Sequence, residues 1–398
     1  METNLAEQGH GGGNAVKRRM YFFDNLKVFI ILLMVVFHIA MGYTTWDLKW
    51  WWVNDIKKDS FFDLFVLETD VYIMPIMFMI AGYFAAVVLV KKDIALFWKE
   101  KIQRIVLPWI GGVIFIAPLV GYSVVFSRTD TPPSYLYFWT NVFIDYYHQA
   151  AFWFLGVLTL FFILLTIAYQ MNSSYFKKSS QIDSPSAWFF PLFALLTAVP
   201  FFVGNLFFWN DEWVNVKYIL VLQPVRIGLY LCYFALGIYA WKKSWFTQGG
   251  YNPRLLPWGI SAVIMLFVFL AYRVAFTLVP VTTAMIKAGH ALTFAVFCLT
   301  ASFALIALFQ KFVNSDAYLW RRFAANSYTI YFIHPCVVIP LAYFVQKLDL
   351  NIWVKYLGVS ISTVVLCFLI SEYVISPILS LGKSDKKNII AQPFIEKR

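Results

Sequence analysis

Ten apolar stretches alternate with short polar ones along the whole chain. They cover about residues 22–44, 66–90, 105–126, 149–170, 188–208, 218–241, 256–276, 288–310, 326–346 and 354–377. Each holds roughly 20 residues, enough at about 1.5 Å per residue to cross a hydrocarbon layer of about 30 Å. In lipid the backbone must satisfy its own N–H and C=O groups, so apolar runs of this length read as helices. The pattern predicts an all-α, polytopic transmembrane helical bundle of about ten spans. No long soluble insert interrupts it, so residues 21–380 are expected to form one membrane domain. A polar, Gly-rich cytoplasmic tail (1–20), expected to be disordered, precedes it, and a second cytoplasmic tail (381–398) follows. The first apolar run is long enough to be a permanent span and not a cleaved signal.

Composition agrees. The chain is 61% hydrophobic, 20% aromatic and 13% charged, with a mean hydropathy of +0.69. That excludes an ordinary soluble globular domain. The net charge of +11 reflects positive loops and does not point to nucleic acid. With the N-terminus placed in the cytoplasm, about two thirds of the 32 Lys and Arg fall in the tails and in the connections after spans 2, 4, 6 and 8. This bias predicts N-in and C-in, which an even number of spans satisfies. The expected setting is a multi-pass integral protein of a plasma membrane, most simply a bacterial inner membrane. Cys232, Cys298, Cys336 and Cys367 all lie in apolar runs and are expected as buried thiols, with no metal site.

Ionisable residues inside the spans carry the candidate chemistry, because each is costly in lipid and tends to face a protein interior or a wet cavity. Span 1 holds Lys27 and His38. Eleven positions are close to three helical turns and about 16 Å of rise, so both lie on nearly one face. One reading is a reaction cavity with a cation at its mouth. The other is a snorkelling lysine and a histidine bonded to a neighbouring helix. Span 2 begins with Glu68 and Asp70, and a short hairpin would bring Asp70 near His38 as a carboxylate that orients the ring. Lys101 and Arg104, three apart in FWKEKIQR, share a helix face. With Lys27 they either surround an anionic group such as a phosphate or belong to an ordinary positive loop. Arg226, Arg273 and His334 add further intramembrane polarity. The outer loops mix Trp46, Trp50, Trp51, Trp52 and Trp213 with carboxylates. This suits an interfacial aromatic belt, or a sugar acceptor held by ring stacking.

Five segments together resemble the integral-membrane acyltransferase-3 family, and more narrowly its glucan biosynthesis protein C-like group. They are FFDNLKVFIILLMVVFHIA, MPIMFMIAGYF, FWKEKIQRIVLP, FWFLGVL and NSYTIYFIHP. Lys27 and Lys101 stand where the family usually has Arg; lysine keeps the charge and loses the bidentate fork. The resemblance implies O-acyl transfer across the membrane, from cytoplasmic acyl-CoA to a hydroxyl of an extracytoplasmic glycan. The acyl group would be acetyl, with succinyl the runner-up. It implies His38 as general base oriented by Asp70, with Lys27, Lys101 and Arg104 on the phosphates of coenzyme A. Arg226, His334 and Trp153 are its substrate-binding candidates, with Arg226 or His334 placed to stabilise an oxyanion. Acyl-CoA is then a donor substrate and no tightly bound cofactor is expected. The partners are that donor, the acceptor and membrane lipid, with the oligomeric state open. A secondary, proton-coupled transporter with His38, Asp70 and Arg226 as a relay is the alternative, although no internal repeat supports it.

Overall fold

Among the residues described, ten helices are long and apolar enough to cross a membrane. The computed structural model describes residues 20–46, 48–177, 184–278 and 283–379. The two tails, from residue 19 downward and from 380 upward, lie outside it, as do Asp47 and Lys178. The helices are α1 (Tyr21–Tyr43), α2 (Ser60–Lys91), α3 (Ile94–Phe126), α4 (Ala150–Met171), α5 (Phe189–Phe207), α6 (Pro224–Lys242), α7 (Leu255–Ala275), α8 (Ala284–Phe312), α9 (Tyr318–Gln346) and α10 (Ile352–Leu379). An all-α polytopic bundle is what the apolar pattern predicted. One small addition is a two-stranded antiparallel hairpin, β1 (Val214–Val216) and β2 (Leu220–Leu222), between α5 and α6.

Three helix starts differ from the apolar pattern, each for a local reason. Asp59 caps α2, its carboxylate accepting from Phe61 N–H at 2.8 Å, so α2 begins well before its apolar stretch. Asp93 likewise caps α3 through Leu96 N–H at 2.6 Å. The basic segment and the third span are therefore one helix. Its π-turn at Ile102–Val106 loosens the backbone ahead of Pro108, which lacks an N–H. Residues 218–222, apolar enough to open span 6, instead complete the hairpin. Lys217 and Tyr218 turn left-handed (φ 50° and 59°), and the helix waits for Pro224 in its first turn.

Burial ranks the helices. In α1, α2, α4 and α8, 67% of the most apolar window is buried, against 6% in α7, which runs along the outside. The tightest seam joins α2 and α6. A β-carbon on Gly82 would lie 2.0 Å from the Phe234 carbonyl oxygen, and one on Gly237 would lie 1.9 Å from that of Met79. Only glycine permits this approach, the usual device where helices associate without a hydrophobic driving force. Gly237→Leu is expected to cost about 3 kcal/mol through overpacking, read as a lower melting temperature in detergent. An unchanged melting temperature would show that the seam is not this tight.

The connections gather at two ends. At one, Asn25 donates to the carbonyls of Val313 and Ser315 (2.7 and 3.1 Å), joining the start of α1 to the α8–α9 connection. At the other, the α1–α2 loop meets the α9–α10 connection. There Lys355, 1% exposed, donates to both carboxylate oxygens of Asp55 at 3.1 and 3.0 Å. Arg128 at the end of α3 donates to Trp51 O at 2.7 Å. These contacts pin the tryptophan-rich loop over the end of α1 that carries His38.

Candidate active site

A cavity of about 1020 Å³ lies at that second end, lined by His38, Asp70, Trp153, Arg226, loop tryptophans and part of the hairpin. His38 sits near the C-terminal end of regular α1 and is half-buried. Its Nδ1 lies 3.0 Å from Nε2 of His334, which is fully buried, and the two rings are nearly parallel at 7°. His334 Nδ1 in turn lies 2.6 Å from the carbonyl oxygen of Tyr331.

These contacts decide where the protons are. A carbonyl oxygen only accepts, so His334 carries its proton on Nδ1 and its Nε2 is a lone pair. His38 must then donate from Nδ1, and its Nε2 carries the lone pair. The local sequence explains the anchor. The Tyr331 carbonyl would normally accept from the N–H four residues on, but that residue is Pro335, which has none. His334, one position earlier, takes up the orphaned acceptor. The IHP triplet thus builds a fixed tautomer into α9. A carbonyl plays the part that a buried carboxylate plays behind the histidine of a hydrolytic triad.

Asp70 pairs with Arg226 and not with His38. Asp70 lies ten residues into α2 on the seam with α6, where it receives Arg226 Nη1 at 2.5 Å. Arg226 Nη2 reaches Asp211 at 2.6 Å, and Asp211 also receives Arg273 at 3.3 Å. The reason is electrostatic. Arg226 is only 3% exposed, and a buried guanidinium without carboxylates would be prohibitively costly, so it claims Asp70. Burial opposes the charge on Asp211, but Arg226 and Arg273 outweigh it and hold that carboxyl below its ordinary range. In place of Asp70, the stacked rings of Trp51 and Trp52 flank His38, at 5.6 and 5.3 Å.

Trp153 starts the regular part of α4, with Trp213 edge-on at 5.2 Å and Tyr230 at 5.9 Å. Aromatic faces therefore stand beside the Asp70–Arg226–Asp211–Arg273 chain in one cavity. The three predicted phosphate ligands are elsewhere, and none lines the cavity. Lys27 pairs with Asp24 at 2.8 Å and faces Phe84. Lys101 lies over the rings of Phe97 and Phe162. Arg104 is exposed in the π-turn of α3, where its carbonyl accepts from Tyr328. Lys101 and Arg104 both neighbour Glu100, while Lys27 pairs with Asp24 on α1. A smaller pocket of about 240 Å³ opens near Asp24, Asn25, Asp316 and Arg321 at the first end.

Tyr331 was not singled out by sequence reasoning, and Trp51, Trp52 and the loop carboxylates were read only as an aromatic belt or a sugar-stacking surface. Tyr331 had a readable signal, the His-Pro pair three and four residues on.

The profile of the family described as acyltransferase domain (acyltransferase-3) matches residues 20–372. The chain belongs to this family. The acyltransferase match covers nine helices and most of α10, and includes every candidate residue named above. Among curated proteins, the chain is 22% identical over 231 residues to the glucans biosynthesis protein C of Salmonella agona (strain SL483), covering 56% of this chain and 58% of that protein. It is 24% identical over 169 residues to the protein of the same name from Salmonella enteritidis PT4 (strain P125109), covering 42% of each. The chain thus spans about half the length of the curated relatives it matches. No solved structure matches.

Proposed function

We propose that this acyltransferase-family protein moves a short acyl group, acetyl or succinyl, from acyl-CoA to a hydroxyl of an extracytoplasmic glycan. The observation that carries this reading is the Nε2 lone pair of His38, held ready at a large cavity by the His334–Tyr331 support. The acceptor hydroxyl gives its proton to His38 Nε2 as its oxygen bonds to the thioester carbonyl carbon. The carbon–sulfur bond then breaks, the proton passes from His38 to sulfur, and an ester and a free thiol leave. Aromatic faces interleaved with Asp70, Asp211 and Arg226 suit a neutral sugar, by stacking and by hydroxyl hydrogen bonds. The names of the Salmonella relatives favour a glucan.

In the N-in, C-in orientation the cavity faces outward. Lys27, Lys101 and Arg104 then lie toward the cytoplasm, where the phosphates of coenzyme A would bind. The about 16 Å of helix rise between Lys27 and His38 is within reach of the pantetheine arm. The test is release of free coenzyme A from acetyl- or succinyl-CoA by protein purified in detergent, with and without a glucan. Acceptor-dependent release supports the reading, and no turnover or binding of any short acyl-CoA overturns it. The double variant Lys101→Gln with Arg104→Gln is expected to weaken acyl-CoA binding about tenfold or more, checked by calorimetry. A transporter of neutral sugars would be indifferent to that change.

His334→Ala removes the acceptor that fixes the tautomer of His38. It is expected to lower kcat by about 10–100-fold, the usual cost of losing an orienting partner, with KM for both substrates nearly unchanged. A kcat within experimental error of wild type would show that His38 needs no support.

A further inference from the structure

Of the two residues first placed to stabilise an oxyanion, His334 has no donor to spare and Arg226 is committed to two carboxylates. Both ring nitrogens of His334 are engaged, by His38 and by the Tyr331 carbonyl. Arg226 directs Nη1 and Nη2 at Asp70 and Asp211. An acyl transfer here still needs a donor aimed at the carbonyl oxygen that becomes negative.

The α3–α4 connection supplies one. His148 lines the same cavity as His38. The backbone N–H of Ala150 donates to its Nδ1 at 3.1 Å, so Nδ1 is an acceptor and the proton of the neutral ring sits on Nε2. Beside that contact Ala150 turns left-handed (φ 45°), an uncommon conformation for a residue with a β-carbon. The neighbours hold it there. Gln149, 1% exposed, donates to Ile219 O at 2.9 Å and accepts from Trp109 at 3.3 Å. The Ala151 carbonyl accepts from the Tyr331 hydroxyl at 2.8 Å, and Tyr331 is the residue whose carbonyl anchors His334. One tyrosine thus ties the strained segment to the base. Nε2 of His148 looks over Gly121, where a β-carbon would lie 2.9 Å away. Burial of the ring lowers its pKa to about 4, so at neutral pH it is a donor and neither a cation nor a competing base.

We propose that His148 Nε2–H donates a hydrogen bond to the acyl carbonyl oxygen, stabilising the oxyanion that forms when the acceptor hydroxyl attacks. This rests on the acyl-transfer reading. It assigns His38 and His148 opposite tautomers and opposite tasks in one cavity.

The experiment compares wild type, His148→Ala and His148→Gln in detergent with acetyl-CoA and a glucan. His148→Ala is expected to lose about 10²-fold in kcat, the cost of one oxyanion donor, with the acetyl-CoA dissociation constant little changed. His148→Gln, whose amide N–H reaches a similar position, recovers part of that loss. An active wild type with His148→Ala within about threefold of it in kcat overturns the proposal and leaves the acyl-transfer reading standing. An inactive wild type overturns both. Where the alanine variant does not fold, ¹⁵N-histidine spectra of the wild type decide. A His148 ring protonated on Nε2 and unchanged between about pH 5.5 and 8 supports the proposal. One that titrates in this range, or carries its proton on Nδ1, overturns it.

Discussion

His38→Ala is expected to lower acyl transfer by about 10³–10⁴-fold, within the range a positioned general base supplies. The loss falls on kcat, because the ring contributes one face of a cavity whose other walls are unchanged. Acyl-CoA binding, measured by calorimetry, stays near the wild-type value. The fold should tolerate the change, since His38 is half-buried at the cavity edge and His334 keeps its anchor on Tyr331. The pH profile supplies the second check. Only neutral imidazole has a lone pair on Nε2, so the wild-type rate falls as pH drops through the pKa of His38 and levels off above it. The residual rate of the alanine variant loses that acid limb. A variant that keeps more than about a tenth of wild-type turnover, or whose residual rate keeps the wild-type acid limb, would remove His38 from the chemistry.

Arg226→Met is expected to cost about 3 kcal/mol of stability, the lower part of the range for breaking a buried ion pair. The guanidinium is 3% exposed and balances two carboxylates, Asp70 at 32% exposure and Asp211 at 57%. Removing it leaves Asp70 on the α2–α6 seam without its ion-pair partner, Arg273 acting on it only at longer range. Asp211, open to the cavity, rehydrates and retains Arg273, which is why the figure is not higher. Thermal unfolding in detergent reads the loss. Arg226→Met with Asp70→Asn should recover part of it, because the stranded charge goes with its partner. Equal destabilisation in the single and double variants would show that Arg226 acts through packing on Phe294 and not through its charge.

The bundle itself was legible in the chain because lipid leaves the backbone few choices. Apolar runs of about 20 residues must be helices, so their number and approximate limits follow from hydropathy. The helix starts at Ser60, Ile94 and Pro224 were less legible. A cap at Asp59 or Asp93, or a left-handed turn at Lys217 and Tyr218, depends on backbone conformation that hydropathy does not encode. That His38, Arg226 and His334 would be partnered was also readable, since an ionisable group in an apolar span needs a partner. The partner itself was not. Sequence distance suggested Asp70 for His38, while the packing of α1 on α9 and of α2 on α6 gave His38 to His334 and Asp70 to Arg226. A hairpin fixes which helix follows which, but the rotation of each helix about its axis is set by close packing, here by the glycines of the α2–α6 seam. The chain by itself determined the helices, the charged groups among them and, through His334-Pro335, one proton position. Which residues meet, and so which nitrogen of His38 is free to act as a base, was decided only when those helices packed.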